Sequence, residues 1–238
     1  MPVRDRTRLA VSSLILALTA LPAASAALGP PRPPAQESVV ADLKALAGGR
    51  GWTVLNRAAA VTEADGRTVA ELDGRPGDGM ARLQGPAFTT GTIECDLLGR
   101  SAPVQGSFLG IAFGVRDAGT YEAVYLRPFN FRAEDAGRRS HSVQYICHPE
   151  WTWGRLRQER PGRFEAAIEP PPDGDAWHRV RIVVGKARVA VYLDDAASPC
   201  LDVERLGAPE PGAVALWVGN NSPGKFANLK IRPLQEEP

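Results

Sequence analysis

The run Leu109–Arg127, LGIAFGVRDAGTYEAVYLR, reads as two β-strands and the turn between them. Ile111, Phe113 and Val115 alternate with Ala112, Gly114 and Arg116, the period-two pattern of a half-buried strand. Asp117-Ala118-Gly119-Thr120 supplies the turn, because Asp and Gly favour the local hydrogen bonds and backbone angles that reverse a chain. In Tyr121–Arg127, Val124 and Leu126 then point inward, leaving Tyr121, Ala123, Tyr125 and Arg127 outward.

Working outward from this pair, the pattern repeats. His141–His148 places Val143, Tyr145 and Cys147 inside and Ser142, Gln144 and His148 outside, with Ile146 breaking the alternation. On the N-terminal side, Gly91–Leu98 (GTIECDLL) sets Ile93, Cys95 and Leu97 against Glu94 and Asp96. Trp52–Leu55, Thr68–Leu72 and Met80–Leu83 read as short strands near the domain edge, with turns at Asp65-Gly66 and Asp73-Gly74 between them. Toward the C-terminus, Val180–Val184 and Val189–Leu193 are joined by the hairpin-length loop Gly185–Arg188. Val214–Val218 and Phe226–Ile231 follow, linked by Gly219–Gly224. One short helix is expected near Ser38, with Val39, Val40, Leu43 and Leu46 at helical spacing and Gly48-Gly49 ending it. Short strands at roughly ten-residue spacing predict an all-β chain, a two-sheet antiparallel β-sandwich of jelly-roll type.

The first residues have a different purpose. Arg4, Arg6 and Arg8 precede the apolar run Leu9–Leu21 and the small-residue site Ala24-Ser25-Ala26. That is the layout of an export signal over residues 1–26, cleaved after Ala26. Residues 27–37 form a Pro-rich linker, and 38–238 the sandwich domain. The expected compartment is periplasmic or extracellular, with no membrane span in the mature chain. Formal net charge is +1, which gives no electrostatic case for nucleic acid or an anionic membrane. Three cysteines, Cys95, Cys147 and Cys200, allow at most one internal disulfide, which can be chosen in three ways. Cys95 and Cys147 suit buried free thiols, and no pair has zinc-ligand spacing.

Several segments resemble the concanavalin A-like lectin/glucanase superfamily. They are GTIECDLLG, GIAFGVRDAGTYEAVYLRP, WHRVRIVVGKARVAVYLDD and GAVALWVGNNSPGKFANLKI, and the likeness covers about Trp52 to Arg232. Within that superfamily the chain is most similar to the 3-keto-disaccharide hydrolase domains, formerly a domain of unknown function. The resemblance implies one convex and one concave sheet and a carbohydrate partner. It also implies a concave-face Glu-x-Asp-x-x-Glu motif in glucanases. Here Glu94-Cys95-Asp96-Leu97-Leu98-Gly99 keeps two carboxylates and has glycine in place of the acid, so the paired carboxyls of a retaining mechanism are incomplete. The Gly-Asn-Ser-Gly-Ile-like strand of the hydrolase group is replaced by Phe108–Phe113.

The expected chemistry centres on Tyr121–Trp153, which is dense in titratable and stacking groups. His148 and Glu150 are the candidate acid–base pair, since imidazole titrates near working pH; Glu94 and Asp96 are the fallback. Arg116, Tyr121, Tyr125, Arg127, His141 and Gln144 are expected to bind substrate. Trp151, Trp153 and Trp217 are stacking candidates, because aromatic rings offer apolar faces to sugar C–H groups. Glu94, Asp96, Arg116, Tyr125, Arg127, Gln144 and His148 are expected to share one groove, rimmed by Glu150 and a tryptophan. The mixed-charge loop with Arg132, Arg138 and Arg139 could meet an anionic sugar, although Glu134 and Asp135 interleave with it. No cofactor is expected and no metal is assigned. Asp173, Asp175, Asp194 and Asp195 suit calcium and suit turns equally. The reading is an exported hydrolase or lyase acting on a glycosidic or 3-keto-sugar linkage; the alternative is a non-catalytic glycan-binding module.

Overall fold

The computed structural model describes residues 38–64 and 66–234, with Met1 alone before them. The export signal and the linker expected over 1–37 lie outside the described residues. The strands, in chain order, are β1 (Val39–Val40), β2 (Trp52–Leu55), β3 (Ala59–Ala64), β4 (Arg67–Leu72) and β5 (Gly79–Leu83). Next come β6 (Gly91–Leu98), β7 (Leu109–Val115), β8 (Tyr121–Leu126), β9 (Val143–His148) and β10 (Glu165–Ala166). The last are β11 (Trp177–Val184), β12 (Arg188–Leu193), β13 (Leu201–Glu204), β14 (Ala213–Val218) and β15 (Gly224–Pro233).

Two antiparallel sheets face one another. The back sheet runs β13-β12-β11-β6-β15-β4-β3, with β1 also on β15, and the front sheet runs β10-β9-β8-β7-β14-β5-β2. The inward residues of the alternating strands meet between them. Ile93, Leu97, Ile182 and Phe226 from the back pack with Leu109, Ile111, Phe113, Val124, Val143 and Leu216 from the front, all essentially inaccessible. Each such side chain contributes about 1.5–3 kcal/mol relative to leaving it in water, so the alternation specifies the register.

Inside this core lies a buried ion pair. Arg205 donates to Glu122 through Nε (3.0 Å) and Nη2 (2.7 Å), and to the Thr89 and Gly185 carbonyls. Tyr145 also donates to Glu122 and accepts from the Leu206 amide at 3.0 Å. The buried charge is thus paired and its donors are used, which a low-dielectric interior demands.

The expected N-terminal helix is only partly formed. Val39–Val40 pairs with Ile231 and Lys230 as a strand, and Lys44–Gly48 is a single 3₁₀ stretch. Asp42, not Ser38, accepts from the Lys44 and Ala45 amides. Edge pairing won over helical spacing because an unpaired edge of β15 was available to two β-branched residues. Two helices not expected from the sequence are α1 (Ala136–Arg139), capped by Asp135, and α2 (Trp153–Glu159), capped by Thr152. All three cysteines are free. Burial raises the Cys95 thiol pKa and pushes those of Cys147 and Cys200 up to about 11, so all three are inert thiols at neutral pH. No helix among the described residues is long and apolar enough to cross a membrane.

Candidate functional site

The outward face of the front sheet floors a groove of about 750 Å³. Strand alternation puts Tyr125, Ile146, His148 and Trp217 on that floor, and their neighbours Val124, Leu126, Tyr145 and Leu216 in the core. Ile146, which spoiled the alternation in sequence, is an apolar part of the floor. Gly110 lies opposite both Tyr125 and Trp217 in the register. The two rings close over it with centroids 5.0 Å apart. A Cβ at Gly110 would fall 2.0 Å from the Val124 carbonyl oxygen, so the floor needs a glycine there.

At one end of the floor is a cationic cluster. Glu165, on the two-residue strand β10, is 6% exposed. It takes Arg157 through Nε and Nη2 at 2.9–3.1 Å, His141 Nδ1 at 2.8 Å and Arg127 Nη1 at 3.5 Å. Arg127 Nη2 donates to the Tyr125 hydroxyl at 2.7 Å and to Gln144 Oε1; Tyr125 donates to the same oxygen at 3.0 Å. Burial lowers the Arg127 pKa and pushes the Tyr125 phenol up to about 12, although Arg127 beside it pulls the other way. The His141 pKa is lowered by burial, with Glu165 opposing. Arg138, from α1, reaches the same wall through Asn130 Oδ1 (3.4 Å) and the Phe129 carbonyl (3.0 Å).

The other end is built differently. Tyr121 donates to Asp78 Oδ2 at 2.9 Å and stacks on His148 with ring centroids 4.8 Å apart. His148 is lowered by burial, Asp78 opposing, and its Nε2 has no hydrogen-bond partner among the described residues. Tyr121 to Arg127 is six residues of strand, so the two ends lie about 20 Å apart at roughly 3.3 Å per residue.

Arg57 sets the wall above Asp78. It is 6% exposed and donates to the carbonyls of Asn56 (2.6 Å), Gly77 (2.8 Å) and Gly219 (2.8 Å). Asn56 adds bonds to the Pro76 and Asp78 carbonyls, and the Gly77 amide donates to Asn220 Oδ1 at 2.7 Å. Two loops of the groove lining, one with Asp78 and one with Gly219–Asn221, are therefore joined through the Arg57 guanidinium, with Asn56 holding Asp78 and the Gly77 amide holding Asn220.

The sequence-predicted residues divide. Tyr125, Arg127, His141, His148, Trp153 and Trp217 line the groove, with Gln144 buried beneath Tyr125 and Tyr121 beside His148. Trp153 stands on the rim at 53% exposure. Trp151 packs against the core instead, beneath the guanidinium groups of Arg155 and Arg160.

Four expected members are elsewhere. Glu94 and Asp96 are on β6 of the back sheet, where Glu94 pairs with Arg232 at 2.7 Å and Asp96 with Asn228 at 2.7 Å. Their outward parity was read correctly; they face outward from the wrong sheet. Arg116 pairs with Glu210 at 2.7 Å and lines a separate cleft of about 50 Å³. Glu150 points to solvent and pairs with Arg155 at 3.4 Å, not with His148. Asp173 and Asp175 bond the Asp175 and Ser101 amides; Asp194 takes His178 at 2.7 Å and Asp195 pairs with Arg179. The residues missed in sequence are Asp78, Phe108, Phe129, Asn130, Arg157 and, behind them, Glu165. All but Glu165 come from loops or an unexpected helix, where no strand period marks them.

No protein-family model matches the sequence, and no curated protein matches it. Solved structures do match in fold. A carbohydrate-binding module, CBM66 from Bacillus subtilis, superposes with a TM-score of 0.54 at 18% identity over 76% of this chain and 95% of that one. The VIP36 exoplasmic/lumenal domain in its Ca²⁺/Man₃GlcNAc-bound form gives 0.52 at 12% identity, over 79% of this chain and 86% of that one. At these identities the likeness shows a shared fold alone, the two-sheet antiparallel β-sandwich.

Proposed function

We propose that the groove binds glycan and that the chain is a non-catalytic carbohydrate-binding module. The observation that carries this reading is the make-up of the groove. Trp153 on the rim and the half-buried Phe108 offer ring faces over a floor in which Trp217, Tyr125 and Phe129 are buried, and Asn220, Asn221, Arg138 and His148 offer polar groups; the only carboxylate among the described lining residues is Asp78. Rings for sugar C–H faces and donors for hydroxyls are what a glycan needs. A two-carboxylate glycosidase needs a second acid about 5–10 Å from the first, and the candidates are committed elsewhere. Glu165 is held by Arg157, Arg127 and His141, and Glu94 and Asp96 belong to the back sheet. The solved neighbours support the same reading, one being a carbohydrate-binding module and one holding a mannose-containing ligand.

One observation favours a second reading, hydrolysis or elimination at a glycosidic or 3-keto-sugar linkage. His148, its pKa lowered by burial and its Nε2 buried without a hydrogen-bond partner among the described residues, sits against the Tyr121–Asp78 pair and is the candidate general base. Affinity electrophoresis of the purified domain against a polysaccharide panel tests binding. Chromatography of oligosaccharides and 3-keto disaccharides after incubation tests turnover. Retarded migration without product supports the module. Product that is lost in His148→Gln would replace it with the enzyme. Export is part of the same proposal and is checked by whether the mature protein recovered outside the cytoplasm starts at Ala27.

A further inference from the structure

The charge in the groove is not evenly spread. Arg127, Arg138, Arg157 and His141 share one end, and they form a connected set. Arg127 Nη1 and Asn130 Nδ2 both donate to the His141 carbonyl, at 2.9 and 3.3 Å, and Asn130 Oδ1 accepts from Arg138. Three guanidinium groups there face one carboxylate, Glu165, which lies behind the lining rather than in it. Pairing with Glu165 leaves two of the three positive charges uncompensated within the cluster. Asp78, the one acid in the lining, is at the opposite end, beyond Tyr121. The Arg138 guanidinium bonds an amide oxygen and a carbonyl, while the Asp135 carboxylate at the start of its helix caps the Arg138 amide, so among the described residues no carboxylate is bonded to the guanidinium itself. A neutral sugar would use these groups as donors but would leave that charge without a counterpart in a partly desolvated wall.

Resting on the glycan-binding reading above, we infer that the glycan is acidic. It carries a carboxylate or sulfate that sits at the Arg127–Arg138–Arg157 end, while its uncharged part runs over Trp217 and Tyr125 toward Asp78. Guanidinium suits both anions because its fork matches two oxygens at once.

The test uses matched pairs on the folded domain: polygalacturonate against its methyl ester for carboxylate, and dextran sulfate against dextran for sulfate. At least one acidic member should bind about tenfold more tightly than its neutral partner, the difference expected of one charge-assisted contact. Which pair shows it identifies the anion. The preference should shrink with added salt. It should fall in Arg138→Gln and fall less in Arg138→Lys, which keeps the charge and loses the fork. It should persist in Arg188→Gln, a back-sheet arginine paired with Asp202. Circular dichroism melts would confirm that each variant is folded. Equal binding of acidic and neutral partners overturns the inference and leaves the glycan site standing. A preference unchanged in folded Arg138→Gln, or lost equally in Arg188→Gln, overturns it as general charge attraction. No binding to any polysaccharide overturns both the inference and the glycan-binding reading.

Discussion

Replacing Glu165 with glutamine should cost the domain about 3 kcal/mol of stability while leaving the shape of the groove intact. Among the described residues, Glu165 is the one acid paired with Arg127, Arg157 and His141. Removing one partner of a buried ion pair typically costs about 3–5 kcal/mol, since the surviving charge is left without compensation. The cost here falls at the lower end for a structural reason. The Arg157 and His141 side chains are 33% and 31% exposed and can turn toward water, whereas that of Arg127 is 4% exposed and cannot. For a domain of this size about 3 kcal/mol lowers Tm by roughly 6–12 °C. Urea denaturation followed by tryptophan fluorescence gives the free energy directly, and an unchanged slope shows that the compact state is the same. The same substitution adds net positive charge beside the wall, so affinity for an acidic glycan should rise as stability falls. A loss of less than about 1 kcal/mol would refute the claim that Glu165 compensates a buried Arg127.

Three further outcomes follow from the same geometry. Trp153→Ala should weaken glycan binding at least about tenfold with stability changed by under about 1 kcal/mol, since the ring stands on the rim at 53% exposure; isothermal titration against an unchanged melt would check both halves. Burial lowers the folded-state pKa of His141 and His148 below the ordinary 6.5, so the unfolded chain takes up their protons first. Their contribution to stability is intact above about pH 6.5 and is lost as pH falls below it. A melt series from pH 8 to 5 should show that decline, reduced in His148→Gln. Arg205→Met strands the buried Glu122 carboxylate and should cost about 3–5 kcal/mol, whereas Glu122→Gln with Arg205→Met should recover part of that in a chemical melt.

How far the sequence went can be read from individual residues. Tyr125, Gln144 and His148 were legible as outward-facing by strand parity, despite Ile146 breaking the alternation beside the last two, and they ended on one face of one sheet with Trp217, whose strand is apolar throughout. Glu94 and Asp96 were equally legible as outward, yet they belong to the other sheet. Alternation separates inside from outside and carries no information on which of two sheets a strand joins; that depends on long-range pairing of β6 with β11 and β15. Asp78 and Asn220 come from loops whose approach requires Arg57, and a single arginine beside an asparagine gives no local signal. Glu165 was invisible for a related reason. Its strand is two residues long, too short for any period to show.

The Arg57 clasp has a consequence for redesign of this protein. Because one side chain bonds Gly77 and Gly219 together and Asn56 ties in Pro76 and Asp78, the two loops are a single movable part. A graft that lengthens one of them alone would pull the guanidinium off the other and open the wall at both places. On the opposite wall Glu165 ties Arg157 to Arg127 and His141, but the Trp153 and Arg138 side chains stand outside that bracket on separate short helices. Specificity is therefore adjustable one residue at a time on the helical side, and only loop pair by loop pair on the side that Arg57 binds.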